Sequence, residues 1–129
     1  MIALDTSVLV RYLVQDEPRQ AALATRLIEG ALTSADPGFV SLIVLVELTW
    51  VLDRVYSCPP GQIAEIVSEL AVSDTIVIEH AAVVTAAVQR SHGDLADILI
   101  HEIGQAHGCE WTATFDHRFA RLGGVRLLA

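Results

Sequence analysis

Short unbroken apolar runs recur along this chain, each followed by a longer stretch with helical spacing, and that alternation restricts the fold more than any other feature. Residues 1–4, 39–41, 75–78 and 111–114 read as short strands, and residues 125–128 as an edge strand. Read as short, largely apolar runs rather than the long alternating strands of a sheet with one wet face, they suggest parallel strands covered on both sides. The intervening stretches read as helices. Asp16-Glu17-Pro18 opens one with proline in its first turn, Leu23, Leu27 and Ile28 facing inward, and Gly30 near its end. Residues 42–56 are apolar nearly all round, Ile63, Ile66, Val67 and Leu70 mark the next helix, and residues 81–90 are rich in alanine and valine. In the stretch Gly93-Asp94-Leu95-Ala96-Asp97-Ile98-Leu99-Ile100-His101, the spacing of Leu95, Ile98, Leu99 and Ile103 predicts a helix with one face in the core. Strands alternating with helices predict an α/β domain built on a parallel sheet.

With 129 residues, 53% of them apolar, the chain reads as one domain spanning 1–129. No apolar run approaches the roughly 20 residues of a membrane span. Asp5 and Arg11 interrupt what would be the apolar segment of a signal peptide, so a cytoplasmic protein is expected. Cys58 and Cys109 are expected to be free, buried thiols. The net charge of −8 argues against broad electrostatic attraction to nucleic acid. All 8 basic residues are arginine. Without lysine, P-loop phosphate binding, Schiff-base chemistry and a receiver-type phosphoacceptor site are excluded.

The carboxylates carry the functional reading. In a parallel α/β sheet, ligands bind beyond the carboxyl ends of the strands. Asp5 follows the first strand and Asp116 the fourth, while Asp94 and Asp97 open the helix that leads into the fourth. All four therefore fall on one edge. Glu47 is the fifth acid, set within an apolar helix where an unpaired buried carboxylate would cost several kcal/mol. A metal shared with the other acids would answer that cost, and oxygen-only ligation favours Mg²⁺ or Mn²⁺ over zinc. Each acid also has a plainer reading: Asp94 as an N-cap with Asp97 in the first turn, Asp5 as a cap, Asp116 as a turn residue. Thr6 and Thr114 are candidates to orient a water, Arg11, Arg90 and Arg118 to clamp phosphate, and His101 to support Asp97.

Asp5-Thr6-Ser7, Glu47, Asp94-Leu95-Ala96-Asp97-Ile98-Leu99-Ile100 and Thr114-Phe115-Asp116 resemble, in order and spacing, the four motif blocks of PIN domains. The small size is similar to that of VapC-type ribonuclease toxins of type II toxin–antitoxin systems. The resemblance implies a three-layer α/β/α fold with a central parallel sheet of four to five strands. It implies an endoribonuclease dependent on Mg²⁺ (or Mn²⁺), hydrolysing RNA phosphodiester bonds with a metal-activated water held by clustered carboxylates. Asp5, Glu47, Asp97 and Asp116 take the catalytic positions, and these four with Asp94 the metal positions. Ser7 stands where the family often has asparagine, with a hydroxyl that can still bond to the site. The partners implied are an RNA substrate, a cognate antitoxin seated on a groove of this domain, and a second copy in a homodimer. A non-catalytic acidic module that binds a metal or a partner is the competing reading.

Overall fold

A computed structural model describes residues 1–90 and 94–128. Gly93, the first residue of the stretch singled out above, lies outside them. Five strands are present among the described residues: β1 (Ile2–Ala3), β2 (Gly38–Val40), β3 (Ile76–Ile78), β4 (Thr112–Thr114) and β5 (Val125–Leu127). Six α-helices accompany them: α1 (Thr6–Val14), α2 (Pro18–Thr25), α3 (Leu42–Arg54), α4 (Pro60–Val72), α5 (Ala81–Gln89) and α6 (Leu95–Ala106). Two α-helices lie in each connection from β1 to β4, while the parallel strands β4 and β5 are joined by one short 3-10 turn, Phe119–Arg121.

Every strand pairing is parallel, as the unbroken apolar runs predict. The hydrogen bonds, however, divide the strands into a three-stranded sheet ordered β1-β2-β3 and a separate pair β4-β5, instead of one ladder across all of them. Register follows Ile2 beside Gly38, Gly38 beside Ile76, and Thr112 beside Val125. β1 forms one edge of its sheet, so both its residues are exposed. The buried residue of that run is Leu4. Gly38 lets β2 approach it: a Cβ there would stand 2.8 Å from Cδ1 of both Leu4 and Leu32.

The core is aliphatic and lies where α1, α3, α4 and α6 meet the sheet, around Leu9, Val40, Leu45, Leu48, Val67 and Leu99. The α2 helix departs from expectation. Its N-terminus is capped by Glu17, whose carboxylate accepts from the N–H groups of Arg19 and Gln20. Small residues, Ala21 and Ala24, face inward, while Leu23 is 52% exposed. Ile28 is buried as expected and Leu27 half-buried, in a wider π-type turn over Arg26–Ala31 that ends the helix. Both cysteines are free, but Cys58 is only half-buried and Cys109 is exposed, where both were expected to be buried.

Helix starts are well defined where they matter for the site. Ser41 caps α3 by accepting from the Val44 N–H at 3.2 Å, and Asp94 caps α6 by accepting from the Ala96 N–H at 2.9 Å. Among the described residues no helix is long and apolar enough to cross a membrane.

Candidate active site

Three acids from two distant segments sense one another. Asp97 lies in the first turn of α6, half-buried, and its carboxyl is held above the usual carboxylate range. Burial is the main cause, followed by the negative charges of Asp94 and Asp116. The β4 strand delivers Asp116 to this point. There the Thr114 hydroxyl accepts from the Asp116 N–H at 3.0 Å, and Asp116 Oδ1 accepts from the N–H groups of Arg118 and Phe119 at 2.8 and 3.2 Å. The plain readings of Asp94 as a cap and Asp116 as a turn residue are thus both realised, and both roles leave the charge facing Asp97.

Asp5 stands between β1 and α1, fully exposed to water. Its carboxylate closes no capping bond on α1. Instead Oδ2 accepts from the Ser7 hydroxyl at 2.7 Å. That bond, helped by the nearby N–H groups of Ser7 and Thr6, holds the Asp5 carboxyl below its usual range. Ser7 therefore does reach the site acid, as its place in the first motif block requires.

Glu47 differs from expectation. It lies on the exposed face of α3 between the exposed residues Ile43 and Trp50, so its carboxylate is solvated and carries no burial cost. The surrounding aliphatics, Leu45 and Leu48, turn the other way into the core. Among the described residues, no three His, Cys, Asp or Glu side chains stand close enough to hold one metal ion. The clustering seen is electrostatic, around Asp97, and does not close into a coordination cage.

The sequence of PIN domains, as a family, matches residues 2–125 of this chain. The chain belongs to the PIN domain family. No curated protein matches it. PIN domains are generally nucleases that need divalent metal ions, and PIN nucleases act on RNA.

The donor set of this PIN domain suits such an ion. Every candidate ligand is a carboxylate oxygen, the hard donor that Mg²⁺ and Mn²⁺ prefer. Asp97 is raised by two like charges, which a cation among them would offset. Thr6 Oγ1, in the residue after Asp5, is buried and has no hydrogen-bond partner among the described residues. It is a spare oxygen at the first motif block.

The supporting residues sort themselves by contact. His101 is fully buried and does not reach the acids: its Nδ1 lies 2.7 Å from the Thr112 hydroxyl, tying α6 to β4. Arg11 is engaged by Gln20, Asp16 and Tyr56, which makes it a strut between helices rather than a phosphate clamp. Arg90 pairs with Glu102 on α6. Arg118 lies beside Asp94 in the depressions next to the acids and keeps its candidacy. Sequence reasoning missed Glu79, whose carboxylate accepts from the Leu42 N–H at 2.9 Å and fixes the start of α3. Its one signal was position, directly after β3 as Asp5 directly follows the β1 run.

Proposed function

We propose that residues 1–129 act as a single-domain endoribonuclease dependent on Mg²⁺ or Mn²⁺, cytoplasmic, and serving as the toxin of a toxin–antitoxin pair. The observation that carries this reading is the convergence of Asp94, Asp97 and Asp116 in a PIN domain, with Asp97 raised first by burial and then by its neighbours' charge. Asp5, Glu47, Asp97 and Asp116 are assigned as the catalytic carboxylates, and together with Asp94 as the residues that would hold the metal. When bound, a divalent ion supplies Lewis-acid activation of water and stabilises charge on the phosphate. The chain's own groups do the rest. Asp97, in the first turn of α6, would help to hold the ion and to orient the attacking water. Ser7 keeps Asp5 ionised and oriented through the 2.7 Å bond, and Thr114 with the Arg118 N–H fixes the Asp116 turn. Arg118, beside Asp94, is placed to hold the substrate phosphate.

The partner assignments rest on exposed apolar surface. Leu23 and Leu27 share a depression with Val8 and Arg11 between α1 and α2, and an amphipathic helix of an antitoxin would find a groove there. Ile43, Val55 and Val72 are exposed aliphatics suited to a second copy of the chain.

The test is cleavage of RNA with added Mg²⁺ or Mn²⁺, and growth arrest on expression. Asp97→Ala and Asp5→Ala should each abolish both, and retention of cleavage in both variants would overturn the assignment. The competing reading is a non-catalytic module that binds metal or a partner. It predicts thermal stabilisation by metal with no cleavage of any RNA.

A further inference from the structure

Two depressions beside the acids adjoin each other. Trp50, Asp53, Arg54 and Ile63 line one, and Arg90, Asp97, Phe119 and Arg121 line the other. Pro60, Asp94 and Arg118 belong to both, so the two form one groove with Arg118 at the junction. Half of the arginines of the chain line this groove, in a molecule whose net charge is −8. Arg54 pairs with Asp53 and Arg90 with Glu102, which leaves Arg118 and Arg121 to meet a polyanionic strand along the track that passes the acids.

At one end stands Trp50, 54% exposed although α3 has a large apolar core face available. The Arg54 guanidinium lies 5.3 Å from the centre of its ring. Glu47 precedes Trp50 by one turn on the same exposed face. An exposed indole layered with a guanidinium, in a groove that also holds Arg118 and Arg121, is a surface on which unpaired nucleobases stack. A helix partner would be recognised differently, by apolar residues at helical spacing, whereas this groove sets arginines and aspartates among its apolar residues.

We propose that Trp50 and Arg54 form a nucleobase subsite: one unpaired base of the RNA strand stacks on the indole, and Arg118 holds the phosphate between that base and the acids. Purines, with the larger stacking face, are preferred there. The proposal rests on the ribonuclease reading and adds a determinant of where along a strand the cut falls.

Cleavage of a single-stranded oligoribonucleotide series, each with one abasic nucleotide at a different position, tests it. The wild-type protein should lose roughly tenfold in kcat/KM when one particular position is abasic, the low end of the stacking effect of a single base. Trp50→Ala should lose a similar factor on the intact strand and become indifferent to that abasic site, while Trp50→Phe keeps most of the activity. Equal additive losses in both strands would overturn the subsite. A second measurement does not need turnover. Of the two tryptophans, Trp111 is replaced by Phe in a protein that also carries Asp97→Asn, and Trp50 fluorescence is followed as the strand is added with Mg²⁺. Saturable quenching, weaker with the abasic strand, supports the subsite. Its absence overturns it, as does Trp50→Ala changing the oligomeric state while cleavage stays intact. Wild-type protein that cleaves no RNA yet shows the quenching would sink the ribonuclease reading and leave the subsite standing.

Discussion

Asp97 is the residue on which the largest number of effects meet. Its carboxyl is raised from the ordinary 3.8 by burial and by Asp94 and Asp116. A raised acid binds more protons in the folded chain than in the unfolded one, so stability falls as pH rises through the interval above that value. Asp97→Asn removes this burden. In metal-free protein it should raise Tm at neutral pH, and the gain should disappear below about pH 4, where both folded and unfolded chains carry the proton. Thermal scans across pH in chelator measure this, and a lower Tm at pH 7 would leave only a helix-start role for the residue. Asp94 separates charge from capping. Asparagine caps about as well as aspartate, so Asp94→Asn should hold the start of α6, whereas Asp94→Ala should cost about 1 kcal/mol in chemical denaturation. At Asp5 the sign is opposite: its depressed carboxyl adds stability above pH 3.8 that is lost as acid protonates it.

At the scale of elements, the sequence was a good guide to helices and strands and a poorer one to which side of each is wet. The strand runs, the helix opening at Asp16-Glu17-Pro18, the cap at Asp94 and the start of α6 could be read from residue types whose chemistry is local, whereas Ser41, read as the end of a strand, caps α3. The exposure of Glu47 and Leu23 could not. It depends on which neighbour each helix leans against, and an apolar stretch such as residues 42–56 does not show which stripe the core uses. The division of the strands into two sheets was equally hidden, because it turns on hydrogen bonds between segments far apart in the chain. The β4–β5 pair, which carries Thr114 and Asp116, depends on one such contact. Gly124 has φ +88°, and a Cβ there would stand 2.8 Å from Cε1 and 3.0 Å from Nε2 of His101, a buried ring with nowhere to move. Gly124→Ala should therefore destabilise the protein by roughly 1–3 kcal/mol. His101→Ala added to it should recover the steric part but not the backbone part, so a double-mutant cycle with zero coupling would disprove the contact.

Across the whole molecule, acidity and site are partly the same feature: five of the 16 acidic residues are the candidate ligands. On the proposed ribonuclease reading, that link would let an acidic chain work on RNA. A bound cation would cancel charge where the strand must come closest, and leave Arg118 and Arg121 of the adjoining groove less opposed by the centre. It also couples metal to folding. An ion that binds only the folded chain raises stability by about 2.7 kcal/mol at a concentration a hundred times its dissociation constant. Mg²⁺ or Mn²⁺ should therefore raise the Tm of the wild-type protein in a saturable way, and raise that of Asp97→Asn much less. The two melting curves should converge as metal is added, because the repulsion that the substitution relieves is the one the ion offsets. If instead metal lifted both proteins equally, the ion would be binding elsewhere, and the gathering of Asp94, Asp97 and Asp116 would be a matter of helix and turn architecture alone.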